Sequence, residues 1–148
     1  MPVHTTFQSY ADVLLALCMW REARGGSASL QYAIMRVIFN RVAEPKGPYS
    51  KCRSAVEVIL CPFQFSSFNQ GDANAAKLPD PSRKTDWAAW LQCCSIVDAA
   101  ADPVSYQSEM GDPTKGATHY FDDSITPPAW ADPSKLTLQI ERVRFYKL

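Results

Sequence analysis

Between positions 10 and 24 the chain sets its apolar residues at helical spacing, then meets two glycines in a row. Tyr10, Val13, Leu14, Leu17 and Trp20 recur at three- and four-residue intervals, which makes one face of a helix apolar. Ser9 or Thr6 is placed to cap its start, and Gly25-Gly26 offers the left-handed stop common at helix C-termini. Glu22 then falls in the last turn of a helix whose body is core. The backbone dipole is partly negative there, and burial against Trp20 acts in the same direction. Both favour the neutral carboxyl and raise its pKa, as a general acid working near neutral pH requires. The same residues also fit a solvated glutamate paired with the flanking Arg21 and Arg24.

A chain of 148 residues has room for one hydrophobic core, so residues 1–148 read as a single domain. Hydrophobic residues make up 47% and charged residues 20%, the balance of a globular chain. Fifteen acids match fifteen bases, so charge does not point to nucleic acid or a membrane surface as partner. The longest apolar run, around residues 13–20, is too short to span a bilayer, so no membrane insertion is expected. The start, Met1-Pro2-Val3-His4-Thr5-Thr6, has neither the basic nor the apolar region of a signal peptide. Synthesis in the cytoplasm without a signal of its own is the expectation. The five cysteines, at 18, 52, 61, 93 and 94, include no CxxC pair, and with two histidines they make no zinc spacing. Cys52 and Cys61 bracket a short segment, and reduced thiols are expected.

Beyond the glycines, Ser27 or Ser29 caps a second helix to about Ala43, with Leu30, Ala33, Ile34, Val37, Ile38 and Arg41 inward. Asn40 and Arg41 read as polar anchors at its end. A third, short helix covers 54–60. In Cys61-Pro62-Phe63-Gln64-Phe65-Ser66-Ser67-Phe68-Asn69, phenylalanines alternate with polar residues, the pattern of an extended segment with two distinct faces. Residues 71–84 form a polar surface excursion. Thr85 or Asp86 caps a fourth helix to about Ala101, striped by Trp87, Trp90, Leu91, Cys94 and Val97. A turn-rich lead, Gly111-Asp112-Pro113-Thr114-Lys115-Gly116, precedes a short extended run at 118–121. Leu136, Leu138 and Ile140 alternate, then the phase shifts to Val143 and Phe145, which reads as one strand with a bulge pairing with that run. The outline is α+β: a mainly helical core with a small antiparallel β-sheet.

Three segments, in order, resemble the spore-cortex-lytic (SleB-like) family of bacterial cell-wall hydrolases. They are Trp20-Arg21-Glu22-Ala23-Arg24-Gly25 with Asn40-Arg41-Val42 after it, Gln64-Phe65-Ser66, and Gly116-Ala117-Thr118-His119-Tyr120-Phe121 with Pro127-Pro128-Ala129-Trp130-Ala131 after it. The resemblance implies a lysozyme-like fold, cleavage of peptidoglycan glycan strands, and a single acid that falls on Glu22. It departs at Gly26, where the family often carries a second acid.

Glycoside cleavage normally takes two carboxylates, whereas a lytic transglycosylase needs one. In that reading Glu22 protonates the glycosidic oxygen, and Gln64, Ser66, Thr118, His119 and Tyr120 position the sugars. His119 fits a packed residue bonded to a neighbour equally well. No metal or organic cofactor is called for. A monomeric phage or prophage endolysin, released through a holin pore, is the expected setting. The alternatives are a hydrolytic muramidase using a loop aspartate such as Asp112 or Asp122, a non-catalytic peptidoglycan-binding module, and a cysteine enzyme built on Cys18 and His119.

Overall fold

The computed structural model describes residues 9–62, 64–100 and 111–148. Four helices come first: α1 (Tyr10–Ala23), α2 (Ala28–Ala43), α3 (Ala55–Leu60) and α4 (Lys84–Ala100). Three strands follow: β1 (His119–Asp122), β2 (Leu136–Ile140) and β3 (Val143–Tyr146). The class is α+β and mainly helical, as the periodicities imply. Thr6, Phe63 and Ala101, each part of a sequence expectation, lie outside the described residues.

Ser9 caps α1 by accepting the Asp12 N–H at 3.3 Å. The helix touches α2, α3, α4 and the 3-10 turn at Ser66–Phe68, so it is hemmed in on several sides. Its buried set is accordingly wider than one stripe: Leu14, Leu15, Ala16, Cys18, Met19, Trp20 and Ala23. The left-handed stop does not form. Arg24 is right-handed at the C-cap, and neither Gly25 nor Gly26 has a positive φ. The Gly26 N–H instead closes a turn onto the Ala23 carbonyl at 2.9 Å. A Cβ at 26 would lie 2.6 Å from Leu30 Cδ2 and 3.3 Å from the Ala23 carbonyl oxygen, so a larger residue there would have to displace the end of the Leu30 side chain.

Ser27 caps α2 through the Leu30 N–H, and all six residues of the expected inner face are buried. Gln31 is buried among them. Its Nε2 donates to the Ala23 carbonyl at 3.2 Å, which thus accepts both this amide and the Gly26 N–H beyond the end of α1. Its Oε1 accepts from Gln92 Nε2 at 2.7 Å, which ties α4 to the same point. Helix α4 starts at Lys84, one residue before the expected cap, and only Cys93, Cys94 and Val97 are buried in it. Trp87, Trp90 and Leu91 are half-buried.

The described residues of the 61–69 stretch do not form an extended segment. They fold into turns and a 3-10 helix at Ser66–Phe68, so period-two faces do not exist there. The C-terminal piece is not one strand either. The phase shift marks a hairpin between β2 and β3, with Glu141 left-handed at φ 54° in the turn, while a register irregularity lies between Leu136 and Leu138. The sheet order is β1-β3-β2, antiparallel throughout, with Tyr120 opposite Phe145 and His119 opposite Tyr146. Successive side chains on a strand point to opposite faces. Tyr120, Leu138, Ile140, Val143 and Phe145 therefore pack on the helical core, while His119, Phe121 and Tyr146 gather on the far face around Trp130.

Candidate active site

Glu22 sits in the last turn of α1, where α1, β1 and the segment 66–77, made of the Ser66–Phe68 turn and the turns after it, meet. Its Oε1 accepts the Ser67 hydroxyl at 3.0 Å, and the Ser67 N–H and the Tyr120 hydroxyl lie close enough to influence the titration of the carboxyl. Burial pushes its pKa above the ordinary glutamate value; the hydrogen bonds from Ser67 and Tyr120 pull against that, and the charge of Asp72 adds to the rise. Tyr120 is itself held well above the usual phenol value by burial, then by the neighbouring Glu22 and Cys18. It therefore stays a neutral donor at any working pH. Beside Glu22 lies an open cleft of about 540 Å³, lined also by Arg21, Arg24, Gly25, Gly26, Asn74, Asp122 and Glu141. A volume of that order suits a ligand of a few rings.

Of the residues singled out as sugar-positioning, the structure brings only Tyr120 onto Glu22. Gln64, Thr118 and His119 collect around Arg41 instead. Arg41 is buried; its Nε donates to the Thr118 carbonyl at 2.7 Å and its Nη1 to Gln64 Oε1 at 3.4 Å. Its guanidinium lies between the rings of Tyr49 and Phe65, at 5.0 and 5.2 Å from their centroids. His119 has its Nδ1 2.9 Å from Thr118 Oγ1 and its ring 5.0 Å from that of Trp130. Burial, followed by the charge of Arg41, drops its pKa to about 4, so it is neutral near pH 7. Ser66 is exposed, and it is its neighbour Ser67 that turns inward, because the 3-10 turn rotates successive side chains by a third of a circle. Nothing in the alternation of the sequence marked Ser67.

The loop aspartates divide. Asp112 organises its own turn: it accepts from Thr114 N–H (2.9 Å), Thr114 Oγ1 (2.6 Å), Gly116 N–H (2.8 Å) and Asn40 Nδ2 (3.0 Å). Burial raises its pKa, but the donors from Thr114, Gly116 and Asn40 together outweigh that, so the net shift is downward. Asp122 lies on the cleft, exposed, with Arg142 Nε at 3.9 Å and the Ser124 N–H at 2.8 Å. Cys18 is buried, and burial with the nearby Glu22 pushes its thiol well above the ordinary value, the opposite of an activated nucleophile. All five cysteines are free thiols. Among the described residues no group of three or more His, Cys, Asp or Glu side chains is placed to hold a metal ion, and no helix is long and apolar enough to cross a membrane.

A family model described as Cell Wall Hydrolase matches residues 25–146. Comparison with curated proteins and with solved structures gives no match. The matched span takes in Ser67, Tyr120, the Arg41 cluster and the Asp112 turn, and it begins three residues after Glu22. Helix α1 is thus joined to the matched region by the contacts just described. With most of its length matched, the chain belongs to the cell wall hydrolase family, and its substrate is bacterial peptidoglycan.

Proposed function

We propose that the protein cleaves the glycan strands of peptidoglycan as a lytic transglycosylase, with Glu22 as the one acid and base. The observation that carries this reading is the setting of Glu22. It is a carboxyl whose pKa is raised by burial, bonded to the Ser67 hydroxyl, with the Tyr120 hydroxyl beside it, at the edge of an open cleft. In the first step the Glu22 proton passes to the glycosidic oxygen as the bond to the anomeric carbon breaks. The carboxylate left behind takes the proton of the muramic acid C6 hydroxyl, whose oxygen closes on that carbon. The products are a 1,6-anhydro-muramyl end and a free hydroxyl on the departing sugar. Ser67 and Tyr120 hold the carboxyl in place and stabilise its charge between the two steps.

Asp122 favours a second reading, a muramidase, because it lines the same cleft and could there activate water. Asp112 has its oxygens occupied by its own turn and is the weaker candidate for that role. Mass spectrometry of muropeptides released by wild type and Glu22→Gln separates the readings. Anhydro ends from wild type only are the expected result. Reducing ends would move the assignment to a hydrolase, and no release by either protein would point to a binding module. The proposal extends to delivery: acting as a monomeric phage or prophage endolysin, the protein would reach the wall through a holin pore.

A further inference from the structure

Arg21 precedes Glu22 on α1, and its guanidinium faces three backbone carbonyls. Nη2 donates to Ala75 O at 2.9 Å, Nε to Lys77 O at 3.2 Å and Nη1 to Ser67 O at 3.4 Å. The guanidinium carbon lies 4.7 Å from the centroid of the Phe68 ring. All four contacts are on the segment 66–77, the wall that supplies Ser67 to Glu22. The wall's own backbone bonds are local: Phe68 to Phe65, Asn69 to Ser66, Asp72 to Asn69, Ala75 to Asp72 and Lys77 to Asn74. Each spans three residues, so among the described residues none ties the wall to a helix. Its attachment rests on side chains, with Phe65 in the core at one end and Arg21 further along.

We propose that Arg21 is a positioning residue, whose guanidinium fork clamps the 66–77 wall onto α1 and so sets Ser67 against the Glu22 carboxyl. The clamp itself stands on geometry; its effect on turnover rests on the reading of Glu22 as the acid. A planar fork with five fixed donors can serve several carbonyls at once, which a lysine ammonium cannot do in the same geometry. The other titratable groups facing Glu22 are Cys18 on its own helix, Asp72 on the wall and Tyr120 on β1, with Arg41 of α2 acting on Cys18 and Tyr120.

Two losses have opposite signs. Removing the Ser67 hydroxyl alone takes a donor from the carboxylate and leaves it buried, which raises its titration midpoint. Releasing the wall removes both that donor and the burial, and burial is the larger influence, so the midpoint falls.

The test is a carboxyl-carbon NMR titration of Glu22, assigned by its disappearance in Glu22→Gln, run on wild type, Arg21→Lys and Ser67→Ala. Arg21→Lys keeps the charge and should lower the midpoint; Ser67→Ala should raise it. The alkaline limb of the kcat profile should follow each shift, with kcat falling more than KM rises. Should Arg21→Lys fail to fold, Phe68→Leu removes the ring under the guanidinium and should give a smaller downward shift. Unchanged midpoints in the folded variants, even with lowered melting temperatures, would overturn the proposal. A shifted midpoint with an unmoved activity limb would uphold the clamp and remove Glu22 from the reaction.

Discussion

Asp112→Ala separates a structural aspartate from a catalytic one. Asp112 accepts four hydrogen bonds between 2.6 and 3.0 Å, and Arg36 Nε lies 3.8 Å from it. Bonds to a charged group contribute about 1.5–3 kcal/mol each, but these four share one carboxylate and their energies do not add. The side chain is 19% exposed, so water reaches part of what the substitution frees. A loss of about 2–4 kcal/mol is expected, within the range for a broken buried network. At about 2–4 °C per kcal/mol for a chain near this size, the melting temperature should drop by roughly 5–15 °C. The folded pKa of Asp112 lies below its unfolded value, so its contribution is present above the unfolded pKa and is lost as pH falls through the folded one. The gap between wild type and variant should therefore narrow in acid. Circular-dichroism melts across pH 3 to 7, with turbidity clearance of peptidoglycan at 25 °C, provide the measurement. Turnover per folded molecule should stay within about threefold of wild type. An unchanged melting temperature with turnover lost a hundredfold would refute the reasoning and make Asp112 a participant in the reaction.

Glu22→Gln should cost about 10²-fold or more in turnover, as loss of a general acid does. Because the folded pKa of Glu22 is raised by burial, its contribution to stability is greatest below the unfolded glutamate pKa and is lost as pH rises through the folded value. The glutamine variant should thus melt no lower than wild type at pH 7, with its relative standing worsening in acid; thermal melts at the two pH extremes check the sign. Tyr120→Phe removes a donor to Glu22 and should lower turnover by about tenfold, the worth of one hydrogen bond to a charged group. His119→Ala, on the far face of β1, should change it by less than about threefold while loosening the packing under Trp130. A greater loss of turnover from His119→Ala than from Tyr120→Phe would reverse the assignment of the two faces of the strand.

Local periodicity carried the helices. Ser27, the inner face of α2 and the polar anchors Asn40 and Arg41 were legible because a 3.6-residue repeat and a capping serine are properties of the segment itself. Residues 61–69 were misread for the converse reason: alternation over a short stretch reports composition, while the backbone there follows Phe65 into the core and Ser67 toward Glu22. The hairpin was hidden in a phase shift that a bulge explains equally well from sequence. Only the pairing of β3 with both β1 and β2 distinguishes them.

By itself the sequence determined that one helix ends on a lone glutamate, that a helical core precedes a small sheet, and that its motifs resemble those of cell-wall hydrolases. It did so because amphipathic spacing and motif order are written along the chain. Which polar groups meet was decided by the tertiary structure alone. Ser67 and Tyr120 reach Glu22 from positions 45 and 98 residues away in the chain, whereas Gln64 and the Thr118 carbonyl meet Arg41 and His119 packs against Trp130. The raised pKa of Glu22 belongs to the same category. Desolvation is its largest cause, and it exists only once the wall and the sheet have closed over the end of α1.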